Sequence, residues 1–184
     1  MIPIVPASGR RGAFVSGRLS FDGDLPKISE PIPLKDALVK AYNSTQEDDP
    51  IILLDVDGFS ERFLNGEIVK EIRIKGRDLW FVTYVENLED VISALTGAFS
   101  GLGIPMHTIR EEDLMDHASE MSDSVFPVAF VRNGTELSSG RRPDELEVML
   151  RGQGMQRLVC IDMDWIEAQG SILSTTAIAN LDAN

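Results

Sequence analysis

Apolar residues in this chain fall into short continuous runs, separated by stretches in which they recur at helical spacing. Ile2 to Val5 is the first run, broken by Pro6, Ser8 and Gly9. Residues 13–21, AFVSGRLSF, alternate and read as a hairpin arm, and Asp22-Gly23-Asp24 turns the chain. Pro33 stands where a helix would begin, with Leu34, Ala37, Leu38 and Ala41 on one face. Residues 51–54, IILL, lack alternation, as a strand covered on both faces does, and DVDG follows them. Ile68, Val69, Ile72 and Ile74 carry helical spacing, and residues 79–82, LWFV, are again a buried-type strand. Asn87 can cap a helix whose apolar face is Leu88, Val91, Ile92, Leu95 and Phe99.

The second half repeats the alternation. Residues 104–109, IPMHTI, are a strand candidate after Gly101 and Gly103, and Leu114, Met115, Ala118 and Met121 mark a helix face. Phe126 to Val131 is a strand turned by Asn133-Gly134, and Pro143 opens a helix that Gly152 and Gly154 stop. Leu158 to Ile161 is the last clear strand, and the tail, 172–184, reads as a short terminal helix. Strands are therefore expected to begin near residues 2, 51, 79, 104, 126 and 157. Such βα recurrence implies a parallel sheet, and it fits a doubly wound sheet and a barrel equally well.

Composition narrows the class. The 184 residues are 43% hydrophobic, enough for one cored domain spanning 1–184. A formal charge of −13 disfavours nucleic acid and anionic membranes as partners, and no apolar run reaches the roughly 18 residues of a spanning helix. One cysteine and two histidines make a disulfide framework or a zinc cluster unexpected. A cytoplasmic setting follows from that cysteine usage and from the lack of a secretion leader in MIPIVPASGRRG. No glycine motif fits a dinucleotide or P-loop site, so no cofactor and no metal are expected.

Asp55-Val56-Asp57-Gly58 and Asp162-Met163-Asp164 both follow strands. If the strands continue, alternation sends both carboxylates of each pair to one side, where Asp57 and Asp164 could serve as catalytic groups. The bland alternative is a strand cap and turn. His107 can act as acid or base near neutrality, and Thr108 stands beside it. Arg10 and Arg11, in a glycine-flanked loop, suit a phosphate or a solvated turn. Ser138, Ser139 and Gly140, before Arg141 and Arg142, form a second anion-site candidate or an ordinary polar loop. Cys160 reads as an inert core thiol, and Trp80 and Trp165 as packing residues.

Seven stretches in order resemble the histidine-biosynthesis sugar isomerases of the HisA/HisF-like group: IPIVPASGRRGAFV, SEPIPLKDALVKAYN, IILLDVDGF, DLWFVTYVENLEDVISAL, IPMHTI, PVAFVRNG and LVCIDMDWIEAQGS. The likeness is nearest to that group's uncharacterised archaeal-type relatives. It implies a (β/α)8 barrel acting on a phosphoribosyl substrate through two carboxylates. Pro6 and Phe130 fall where those carboxylates would stand, and neither moves a proton. Thr83 and Tyr84 fall at the family's phosphate glycines, and Ile161 and Ile166 at a further Thr and Asp. Thr108 matches a family Ser/Thr. A complete barrel needs about 250 residues, or about 200 at the short end.

The expected fold is thus α/β, a truncated TIM barrel of about six βα units with two open edges. Open edges call for a cover, which the residues 13–21 arm, the C-terminal segment or a second copy of the chain could supply, and a homodimer is the expectation. Two functions stay open. One is a diverged protein without the isomerase acid/base pair, binding a small metabolite, such as a phosphorylated one, or a protein partner. The other is an isomerase-like enzyme on a phosphorylated sugar-like substrate.

Overall fold

A computed structural model describes residues 1–72, 78–97 and 99–181. The order is β1 (Ile2–Arg10), β2 (Ala13–Asp22), β3 (Leu25–Pro33), α1 (Leu34–Ser44), β4 (Ile51–Asp55), α2 (Val56–Glu61), α3 (Gly66–Glu71), β5 (Leu79–Val82) and α4 (Leu88–Leu95). There follow β6 (Gly101–Pro105), a single 3-10 turn (Met106–Thr108), α5 (Leu114–Met121), β7 (Val125–Arg132), β8 (Thr135–Glu136), α6 (Pro143–Gly152), β9 (Arg157–Asp162), α7 (Met163–Gln169) and β10 (Ser174–Asn180).

The truncated TIM barrel is not what forms. Strands β1, β4, β5, β6, β7 and β9 pair in parallel in that order, but β10 then runs antiparallel to both β9 and β1. The result is a closed, mixed barrel of seven strands, with β2, β3 and β8 as additional strands. There is no open sheet edge at β1 or β9 for a second chain to cover. The tail read as a helix is the closing strand. Its alternation puts Ser174, Thr176 and Ile178 inward, where they complete the pairing that β1 and β9 lack.

Strands β1, β4, β5, β6, β7 and β9 each present one face to the lumen and one to a covering helix. Val5, Leu53, Phe81 and Ile104 face outward with Ala37 of α1, Ile68 of α3, Val91 of α4 and Leu114 of α5. Val131 and Leu158 pack with Leu146 and Leu150 of α6. Inward, Ile4, Leu54, Val82, Val128 and Ile161 fill the barrel. At the amino ends of the strands, Trp80 and Phe126 lie 4.9 Å apart, and the Arg157 guanidinium sits 4.6 Å over the indole.

A seven-stranded lumen is narrow, and β6 shows the consequence. A Cβ on Gly101 would come 2.7 Å from Trp80 Cδ1, and one on Gly103 would come 2.6 Å from Val128 Cγ2. The two glycines, which the sequence pattern leaves just ahead of the strand, are therefore strand residues whose neighbours occupy their side-chain space. β6 accordingly starts at Gly101, and Met106-His107-Thr108 turns out of the strand. Helix α4 stops at Leu95, and Phe99 stacks on Phe81 with centroids 4.4 Å apart. Helix α3 ends at Glu71; Ile74, expected on its face, lies outside the described residues.

The β2–β3 hairpin completes the wall beyond the reach of β10. β10 pairs with Ile2 to Ile4 of β1, and β2 takes over at Ser8 to Arg10. Leu19, 1% exposed, enters the lumen cluster, and Phe21 meets Phe130 edge-on at 6.4 Å.

Candidate functional site

In barrels with parallel strands, chemistry gathers at the carboxyl ends, where the loops converge. Here that end holds all the expected catalytic residues, but not in reactive positions. Strand β4 stops at Asp55, and Val56 already belongs to α2, so Asp55 and Asp57 do not share a strand face. Asp55 is wholly buried and caps α2. Its Oδ1 accepts from the Gly58 N–H (3.0 Å), and its Oδ2 accepts from the Asn65 N–H (2.9 Å) and the Thr83 hydroxyl (2.9 Å). Burial pushes its carboxyl above the usual range, against the pull of those donors.

Asp57 reaches sideways to the end of β1. It accepts from the Ser8 hydroxyl (2.6 Å), the Gly9 N–H (2.9 Å) and the Asn65 side-chain amide (2.8 Å). The second pair repeats this plan. Asp162 caps α7 through the Trp165 N–H (3.0 Å), and Asp164 reaches the end of β7, accepting from the Asn133 N–H (2.6 Å) and from Arg132 (3.2 Å). In both places the tethered strand enters a two-residue hairpin turn with left-handed φ at each position. These are Arg11 (56°) and Gly12 (79°) after β1, and Asn133 (52°) and Gly134 (78°) after β7. The residue before each turn, Arg10 or Arg132, forms an ion pair with a glutamate of the adjacent helix, Glu61 or Glu167. Asp57 and Asp164 are thus matching latches on two hairpin turns. A search for self-similarity would have found them, since R-x-G is followed by D-x-D and then a Glu in both halves.

The anion loops have their own occupants. Arg10 is held by Glu61, and the Arg11 N–H donates to Glu67. The loop of Ser138, Ser139 and Gly140 does bind a carboxylate, but it is the chain's own. Glu136, 1% exposed, accepts from the Ser138 hydroxyl (2.9 Å) and from the Ser138 and Ser139 N–H groups (3.1 and 2.7 Å). The Gly140 N–H donates to the Glu136 carbonyl (2.9 Å). Glu136 carries no motif, and its role becomes visible only once the loop folds back over it.

At the centre of this end Phe130 is wholly buried. Phe59 lies 5.5 Å from it, and the His107 ring meets it edge-on at 4.8 Å and stacks on Phe59 at 6.2 Å. His107 Nδ1 is buried without a hydrogen-bond partner, and burial lowers the pKa of the ring. Thr108 does not face the same space. Its hydroxyl is turned to the backbone oxygens of Val85 (2.7 Å) and Pro105 (3.1 Å). At the rim, the Tyr84 hydroxyl donates to Glu86, and burial raises its pKa. Among the described residues no group of His, Cys, Asp and Glu is arranged to hold a metal ion, and no helix is long and apolar enough to cross a membrane.

The most spacious cavities described are on the outside. One, of about 520 Å³, lies between the hairpin and α1 and includes Phe14, Leu38 and Ile72. The other, of about 480 Å³, runs over β9 and β10.

No family model matches the chain, and no curated protein matches it significantly. With the TIM barrel replaced by a seven-stranded mixed one, the link to HisA and histidine biosynthesis has no support beyond the quoted stretches and is withdrawn.

The depressed His107 pKa has a measurable consequence. A neutral ring favoured by the fold contributes stability that is present above the unfolded pKa near 6.5 and is lost as pH falls through the lower folded value. His107→Phe keeps a ring in the cluster and removes the unsatisfied nitrogen. Its melting temperature relative to the parent should therefore rise progressively as buffers are taken from pH 7.5 to about pH 5. Parallel melting curves for the two proteins across this range would contradict the burial of His107.

Proposed function

We propose that this chain is a non-catalytic binding protein, a barrel scaffold that engages a protein partner, working in the cytoplasm. One observation carries the reading: the carboxyl end of the barrel, where chemistry gathers in barrels with parallel strands, is packed with rings, Phe130 against Phe59 and His107. The carboxylates nearest to it hold turns, and the serine loop holds Glu136. The single cysteine agrees with a reducing compartment.

Thermal denaturation with ribose 5-phosphate, with and without magnesium, tests it. The expected result is no saturable shift. A saturable rise that Ser138→Ala or Arg11→Ala removes would establish a phosphosugar site and overturn the proposal.

A second reading, an enzyme acting on a phosphorylated sugar-like substrate, draws on His107. Its Nδ1 lacks a partner, and the charges of Glu136, Asp24 and Arg110 act on the ring. The same titration decides between them, because that enzyme requires the shift and requires His107→Phe to abolish turnover.

A further inference from the structure

The helical layer around the barrel has one gap. The outward faces of β1, β4, β5 and β6 pack with α1, α3, α4 and α5, and that of β7 packs with α6. The outward face of β10 carries only small residues, Thr175, Ala177 and Ala179; Ala179 reaches the α6 cluster at one end, while Ala177 in the middle is exposed. These residues form the floor of the groove of about 480 Å³. A sheet face in a two-layer fold is normally buried against another element, and small residues leave room for a bulky apolar one.

The walls say what kind of element. Trp165, 50% exposed, stands at one side on the first turn of α7. Glu147 of α6 and Asp162 at the end of β9 line the same groove, and neither forms an ion pair among the described residues. Both carboxylates act on the thiol in the floor: Cys160 is pushed up to about 11, by burial first and then by Glu147 and Asp162. The groove is therefore apolar below, anionic at its sides and provided with an exposed indole face, which attracts cations.

A second copy of this chain is a poor occupant. It carries −13, and β9, β10 and β1 around the groove are each paired on both sides, so the barrel wall offers it no open edge there. We infer that the groove over β10, between Glu147, Asp162 and Trp165, docks a basic amphipathic helix of a partner protein. This rests on the binding-protein reading and names the surface and chemistry it would use. The apolar stripe of such a helix would lie on Thr175, Ala177 and Ala179, with lysine or arginine heads toward the two carboxylates and the indole.

Tryptophan emission reports on the groove, since Trp80 is enclosed in the barrel and Trp165 is exposed. The probes are a Leu/Lys amphipathic helix of about 15 residues and a Leu/Glu counterpart with the same apolar stripe. The Leu/Lys helix should change the emission saturably, and the Leu/Glu helix should not bind. Asp162→Asn with Glu147→Gln should weaken binding about tenfold, as should raised salt. Asparagine still caps α7, so that variant keeps its fold, with circular dichroism as the check. Trp165→Ala, read by calorimetry, should also weaken binding. Failure of the Leu/Lys helix to bind, equal binding of both helices, or binding indifferent to the carboxylate substitutions would overturn the proposal. So would a sedimenting dimer that Trp165→Arg dissolves, because a second copy would then own the face. A phosphosugar response at the barrel mouth would instead remove the functional reading, and the two failures are separable.

Discussion

Phe130→Ala should lower stability by about 3–5 kcal/mol, because a wholly buried ring is lost and its neighbours cannot close on the space. In a chain of this size that corresponds to a fall of roughly 10 °C in melting temperature. Phe21, Phe59 and His107 touch the ring from three different elements, β2, α2 and the turn after β6. The cavity left behind would be lined mainly by rings, and such a cavity stays dry and takes up small aromatics. Benzene or a similar probe should therefore raise the melting temperature of the variant and leave the parent unchanged. A loss below about 1 kcal/mol would mean that the barrel end is open, and would reopen the case for a ligand there.

Asp55→Asn should cost about 3 kcal/mol despite being nearly isosteric. Both carboxylate oxygens accept hydrogen bonds from the chain, from Gly58, Asn65 and Thr83. An amide must turn its NH₂ toward one of those donors, leaving a buried donor unmatched at zero exposure. There is no room to relax, since a Cβ on Gly58 would lie 2.5 Å from Asp55 Oδ2. Thr83→Val removes one donor only and should cost about 1 kcal/mol. A double-mutant cycle between Asp55 and Thr83, by chemical denaturation, should show coupling. Additive losses would contradict the shared hydrogen bond. Asp57 next to this cluster resembles a catalytic group in sequence, because its partners Ser8 and Gly9 come from a remote strand that periodicity does not reveal.

Much of the organisation was written in local pattern. Runs such as Ile51 to Leu54 and Leu79 to Val82 are apolar on both faces because they are buried on both faces, and that is visible without coordinates. The capping side chain of Asn87 and Pro143 at a helix start were equally legible, since capping acts within one turn. The tertiary structure decided what local pattern does not encode. Whether six parallel strands open, continue to eight or close depends on which strand meets β1 across the barrel, and residues 174–180 make that contact antiparallel, where their composition suggested a helix. Gly101 and Gly103 are strand residues only because Trp80 and Val128, far away in sequence, occupy their space. Carboxylates carry no sign of their partners, so Asp57 and Asp164 became latches only when folding brought remote donors to them, whereas Glu136 is held by Ser138 and Ser139 of its own loop. Sequence thus set the elements, through short-range burial and capping; long-range packing set the closure of the barrel and the work of its charged groups.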